Sequence, residues 1–354
     1  MKFLINYNTF TDISSILWAL QNLELSRFDN HFILKNDIDE FTFVTSNSEY
    51  HPWGTPIFEI ENNYDKKIIA SHKLIDYDKS KFDYMIYSNL DEPFHDIESE
   101  KSLEFLNDGN IILSATYTNK IIHKNLISDY RFNLYYFYHD KGFNFLNFYN
   151  FKEKDSLFGI YEREASNRHS TPQHSMLYNL VKDVVGNELI DFPYIEYPLK
   201  KLISHQPRES YVSFGMWKQN YISSYIDMSR CVVFYMRESP VNPYITEKTL
   251  KSILFSKANI ISIWCGRDEE YQFLKEYGFW FLNSEFYTNN ISESVILATN
   301  YCLELKQNLI TNDKVFDFLI EKYGDKLKKN GEILDDILFN CPIKKEIITC
   351  ISKK

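Results

Sequence analysis

The chain opens with an apolar run at Lys2–Tyr7, the length of one buried strand, and then changes period. Ile13, Ile16, Leu17, Leu20 and Leu23 recur at helical spacing, which predicts a helix over 13–25 capped by Thr11 or Asp12. Short β-rich runs follow at 41–45 and 67–71, then a clearer apolar strand at 82–87 that leads into Asp91, Glu92 and Pro93. A helix over 97–106, stopped by Asp108-Gly109, and a strand over 111–116 continue the series. Strand and helix in alternation are the pattern of an α/β sheet.

The stretch 131–151 is densely aromatic, with Asp140-Lys141-Gly142 as a turn, and reads as a hairpin covering the core. A stacking platform for a base or sugar is the alternative. Residues 162–180 are a polar, basic loop running into a helix with Thr171 as cap and Pro172 at its first position. This loop is the expected junction between domains 1–165 and 166–354. Beyond it the pattern predicts strands over 211–214, 231–236, 259–264 and 279–282, with helices over 217–225, 246–255 and 268–277 among them. Helices over 291–309, 315–323 and 332–339 close the chain, the last of them free to pack back on the first domain. The expected architecture is two Rossmann-like α/β halves.

Composition supports that size of structure. The 354 residues are 44% hydrophobic and 17% aromatic, with 26 Tyr and 28 Phe, enough for packed cores and too much for a disordered chain. A net charge of -10 argues against a broad nucleic-acid surface, because phosphate binding depends on Lys and Arg that displace counterions. Five scattered cysteines without CxxC spacing signal neither a disulfide framework nor a zinc site, and fit a reducing compartment. The amino terminus lacks the long apolar core of a signal peptide, and no apolar run reaches the roughly 18 residues of a membrane span. A cytoplasmic protein is expected.

Candidate chemistry centres on Thr246. As an N-cap it would leave the N–H groups of Glu247, Lys248 and Thr249 pointing beyond the strand ends, where the helix terminus and the Lys248 ammonium favour an anion. A diphosphate is the natural guest there in an open α/β sheet. Leu250, Ile253 and Leu254 would face the core. The plainer alternative pairs Glu247 with Lys251 at i,i+4 and leaves Lys248 solvated.

Residues 236–266 (MRESPVNPYITEKTLKSILFSKANIISIWCG) resemble the donor-binding motif of α1,3-fucosyltransferases, roughly Phe-Glu-Asn-Ser, three variable residues, Asp-Tyr-Ile-Thr-Glu-Lys, then a helix, a strand and a Gly. They are similar also to a wider group of bacterial and viral glycosyltransferase-like proteins with a Leu-x-x-x-Gly-Phe segment, here Leu274, Gly278 and Phe279. Ser239 and Tyr244 to Lys248 fall in register. Arg237, Glu238 and Pro243 stand where the motif has Glu, Asn and Asp, so the sugar is left open.

The resemblance implies a GT-B type glycosyltransferase, with a cleft between two Rossmann-like domains, the nucleotide-sugar on 166–354 and the acceptor on 1–165. It places Lys248 on the diphosphate and Glu247 on ribose or sugar hydroxyls, with Ser239, Tyr244 and Thr246 lining the same pocket beside Glu238 at the strand's end. A carboxylate accepts two hydroxyl hydrogen bonds, and Lys meets phosphate as a point charge. The leaving diphosphate gains charge, so a second cation is expected; Arg168, beside His169 and His174, is the first candidate and Arg237 the second. An inverting transfer needs a base for the acceptor hydroxyl, and Asp91 or Glu92 after the 82–87 strand would supply it. The same residues form a polar turn in the plainer reading.

Two Asp-x-Asp strings, at Asp37 and Asp39 and at Asp76 and Asp78, follow no convincing apolar strand, so no metal is expected to be required. GxGxxG, P-loop, HExxH and GxSxG motifs are absent, which leaves dehydrogenase, NTPase, zinc protease and hydrolase readings without support. The expected partners are a nucleotide-sugar and a glycan or other hydroxyl acceptor, in the cytoplasm of a bacterial or virus-infected cell. Two alternatives stay open. One is a virus-encoded enzyme that glycosylates DNA bases, which the acidic charge disfavours; the other is a degenerate glycosyltransferase-like binding or structural protein.

Overall fold

The computed structural model describes residues 1–7, 12–13, 16, 24–28, 31–35, 40–45, 64–89, 97–114, 121–128, 153–162, 181–193, 225, 227–238, 245, 247–340 and 343–353. Its elements alternate as an α/β protein with two largely parallel sheets. Two units divide the chain, one of Met1–His139 with Asn340–Lys354 and the other of Asp140–Phe339.

In the first unit the strands are β1 (Lys2–Tyr7), β2 (Glu24–Phe28), β3 (His31–Lys35), β4 (Glu40–Thr45), β5 (Lys66–Ser71), β6 (Tyr84–Asn89), β7 (Ile111–Ser114) and β8 (Leu126–Ser128). They lie in the order β2-β3-β4-β1-β5-β6-β7-β8. From β4 to β8 every pairing is parallel, while β2 and β3 extend the edge as antiparallel strands. The register sets Phe3 opposite Phe41, and the two buried rings stack with centroids 4.8 Å apart. Ile13 and Ile16 are helical and buried, as their spacing predicts. The predicted helix does not run to residue 25, because Glu24 already begins β2 and finds a backbone partner in β3. Helix α1 (Glu100–Asn107) is capped by Ser99, whose side chain accepts from the Ser102 N–H.

The second unit holds β9 (Ser156–Glu162), β10 (Leu189–Pro193), β11 (Cys231–Arg237) and β12 (Ile261–Cys265), all parallel in the order β10-β9-β11-β12. The expected junction at 165/166 falls elsewhere, since β9 hydrogen-bonds to β10 and β11 and so belongs with the later residues. Helices α2 (Glu247–Ser256) and α3 (Asp268–Glu276) follow β11 and β12, and α4 (Ile291–Leu309) takes the predicted span. The strand expected over 279–282 is instead irregular chain entering a 3₁₀ turn at Leu282–Phe286. The Asn330 amide accepts from the Trp280 N–H and donates to its carbonyl, both at 2.7 Å, which satisfies that backbone without a strand.

A single helix, α5 (Asn312–Asn340), replaces the two expected over 315–323 and 332–339. Its face of Val315, Leu319, Tyr323 and Leu327 packs with Val295, Ala298 and Cys302 of α4 and with the sheet in one core. Helix α6 (Ile343–Ser352) belongs to the first unit, where the Tyr84 hydroxyl donates to the Ile351 carbonyl at 3.1 Å. The helices foreseen to pack back on the first domain end at 339 and stay in the second unit; the helix that joins the first unit is α6, which the pattern of the sequence did not predict. No helix among the described residues is long and apolar enough to cross a membrane.

Candidate functional site

The site is built at the carboxyl ends of β11 and β12. Residues 231–236 are buried on both faces of the sheet, as expected of a near-continuous apolar run in a parallel strand. Tyr235, the one phenol in the run, is satisfied by Thr299 Oγ1 at 2.7 Å. Polar chemistry begins where the run ends. Arg237 lies half-buried opposite Cys265 in the register, and Glu238 follows, buried, with its N–H donating to the Cys265 carbonyl at 3.1 Å.

Glu238 is not turned to solvent. Its Oε1 accepts from the Thr249 N–H at 3.2 Å and from the Thr249 hydroxyl at 2.6 Å, and Trp264 Nε1–H donates to that hydroxyl at 3.4 Å. Thr249 is the third residue of α2, so the carboxylate caps the helix from outside its own segment, where the helix terminus favours a negative charge. Gly266 makes room for this arrangement. A Cβ there would stand 2.4 Å from Trp264 Cη2 and 3.0 Å from Glu238 Cβ. Of the three N–H groups expected to face a diphosphate, that of Thr249 is therefore already given to Glu238.

The next turn of chain adds a second carboxyl. Glu270, third in α3, is 1% exposed, and neither of its oxygens has a hydrogen-bond partner among the described residues. Arg267 Nε stands 3.9 Å from its Oε1, while the same guanidinium binds Glu269 at 3.1 Å. Burial pushes the Glu270 carboxyl up to about 8; Arg267 opposes this, and Glu269 and Glu238 add to it. At neutral pH it is an acid that keeps its proton and can donate a hydrogen bond. The edge thus presents an acceptor carboxylate that holds α2 and a neutral carboxyl whose hydrogen-bonding capacity the described residues leave unused.

Among the sequence-derived candidates, α2 starts at Glu247, one residue after Thr246, as the capping argument requires. Lys248 is half-buried in its first turn, and Ile253 and Leu254 face the core as expected. Lys251, the proposed partner of Glu247, is itself buried. Asp91, Glu92, Arg168, Ser239, Tyr244 and Thr246 lie outside the described residues, as do His169, His174, the aromatic stretch 131–151 and the side chains of Glu247 and Leu250. Sequence reasoning named the Thr249 N–H but not its hydroxyl, took Gly266 only as the last residue of the motif, and passed over Glu270. For Glu270 a signal existed, since it stands four residues before the buried Leu274 on the inward face of α3.

Among the described residues no three His, Cys, Asp or Glu side chains gather as a metal-binding group. Compared with known proteins, the chain matches no family model and no curated protein.

Proposed function

We propose that this protein is a nucleotide-sugar glycosyltransferase of the GT-B type, inverting and without a required metal, that moves a sugar to an acceptor hydroxyl in the cytoplasm. The observation that carries the reading is the start of α2 at Glu247, after the central strand β11 of a parallel sheet, which sets Lys248 in the first helical turn. In such sheets ligands occupy the crevice outside the carboxyl ends of the strands. Lys248 would meet the diphosphate, and Arg237 would balance charge on the leaving group. The neutral Glu270 carboxyl at the same edge adds a hydrogen-bond donor.

Calorimetry with UDP, GDP, ADP, CDP and dTDP and their sugars tests the proposal. One nucleotide should bind, and Lys248→Ala should weaken it about 10- to 100-fold, the weight of a charge-assisted hydrogen bond. Binding by none of the panel, or a Lys248→Ala variant that binds like the parent protein, removes the reading.

A second reading, a glycosyltransferase-like binding module without catalysis, is favoured by the Glu238 carboxylate on the Thr249 N–H, where a donor anion would otherwise sit. Donor binding without release of nucleoside diphosphate, followed by mass spectrometry, selects this second reading.

A further inference from the structure

Only Gly266 and Arg267 separate β12, which ends at Cys265, from α3, which starts at Asp268. A strand, a glycine and a helix start in that order set the first N–H groups of the helix beyond the sheet's edge. Arg267 occupies the N-cap position and, having no acceptor, makes no side-chain cap. Glu270 is the second feature of the turn. Its Oε1 lies 3.9 Å from Arg267 Nε, so the side chain points back toward the helix start, and neither oxygen has a hydrogen-bond partner among the described residues. Burial keeps the proton on this carboxyl, with Arg267 opposing the effect and Glu269 and Glu238 adding to it.

A buried carboxyl without partners lowers stability, and a ligand that completes its hydrogen bonds accounts for its presence. The proton narrows the choice of ligand. A sugar hydroxyl brings its own hydrogen and is met as well by an ordinary carboxylate, whereas an oxygen that can only accept requires the O–H of Glu270. The positive end of α3 and the Arg267 guanidinium beside it make that oxygen an anion's. Neighbouring charges then limit the anion. Glu238 and Glu269 stand near, and Asp268 Oδ1 is engaged with the Ile291 N–H at 2.9 Å and the Tyr287 hydroxyl at 3.2 Å. One guanidinium among these carboxylates suits a monoanion, and a planar carboxylate matches its fork of N–H donors.

We propose that the β12–α3 turn is a carboxylate subsite, in which Arg267 and Glu270 hold the acidic group of a uronic acid or similar acidic sugar on the nucleotide donor. The proposal rests on the transferase reading and names the class of its donor sugar. β12 neighbours β11, and adjacent strands lie about 4.8 Å apart, so a sugar attached to a diphosphate at the start of α2 reaches the next strand end. Arg267 is the outer member of the pair, 25% exposed against 2% for Glu270, and its Nη2 binds the exposed Glu269 at 3.1 Å. Such surface pairings contribute little, so the sugar's carboxylate takes the place of Glu269 on the guanidinium. As Arg267 turns outward to the ligand, the Glu270 O–H beneath is uncovered and donates to the second oxygen.

The test is calorimetry with UDP-, GDP-, ADP-, CDP- and dTDP-glucose, the corresponding glucuronates and the bare diphosphates. The parent protein should bind one glucuronate about tenfold tighter, or more, than its glucose counterpart. Arg267→Gln and Glu270→Leu should each remove that preference, a loss of about 10- to 100-fold for the glucuronate, the weight of a hydrogen bond to a charged group. Affinity for the glucose conjugate and the bare diphosphate should stay within about threefold, which shows that the variants fold. Glu270→Gln keeps an N–H donor and should retain most of the preference; if this variant binds the glucuronate more tightly than the parent protein does, Glu270 is an ionised group that repels the ligand and the subsite is overturned. Equal parental affinity for the two conjugates, or a preference that survives Arg267→Gln or Glu270→Leu, also overturns it and leaves the transferase reading standing. Binding of no nucleotide by the parent protein takes down both.

Discussion

Glu270 places a carboxyl group where no hydrogen-bond donor among the described residues reaches it, and this couples the fold to pH. In the unfolded chain the group ionises in the ordinary range near 4.5, whereas in the folded chain it holds its proton up to about 8. Between those values the folded state binds more protons, so stability falls as pH rises through the window and levels off above it. The total is on the order of 3–5 kcal/mol, each tenfold in the ionisation constant being worth about 1.4 kcal/mol. Glu270→Gln should match the parent protein near pH 5 and exceed it by a few kcal/mol above pH 8, measured by urea unfolding at several pH values. Parallel pH profiles for the two proteins would rule out a protonated buried carboxyl. Glu238→Ala leaves the buried Thr249 N–H and hydroxyl without their acceptor and should cost about 2–4 kcal/mol, whereas a residue that served only a ligand would leave the melting temperature unchanged.

At the level of elements, the reading from sequence succeeded where a pattern is local. β11, α2, β12, α3 and α4 follow from apolar runs and helical spacing, to within a residue or two. β9 and β10 escaped for physical reasons. Gly159 interrupts β9 as a turn residue would, yet it is needed because a Cβ there would lie 2.2 Å from Cys231 Sγ. β10 ends in Pro193, which reads as a strand breaker but is tolerated on the edge that β10 occupies. Neither the isolation of the Glu270 carboxyl nor the Glu238–Thr249 capping was legible, since both arise from segments brought together only by the fold. Glycines also hid the continuity of α5. Gly324 has open surroundings: a Cβ there would find its nearest neighbour, Ile320 Cγ2, at 3.7 Å, so Gly324→Ala should stabilise by about 0.5–1 kcal/mol. Gly331→Ala should forfeit that gain. Its Cβ would meet Lys257 Cγ at 2.5 Å and displace the side chain that pairs with Asp335 at 2.7 Å. Thermal unfolding of the two variants side by side checks the contrast.

On the scale of the whole molecule, the first unit depends on α6, whose Ile347 and Ile351 are fully buried. Deleting residues 341–354 removes both side chains from that core, at about 1.5–3 kcal/mol each. Differential scanning calorimetry should find the first unit's transition lowered by roughly 10 °C or more and the second unit's unchanged. A single transition that moves as a whole would mean that the units unfold together. The two-sheet α/β architecture was legible from alternation alone, but the membership of the units was not, because a helix's choice of sheet leaves no periodic trace in the chain. The placement of α6 also orders events on the ribosome. Residues 140–339 emerge before 343–352, so the second unit can complete its core while the first still waits for its last helix, and the portion made first is the portion finished last.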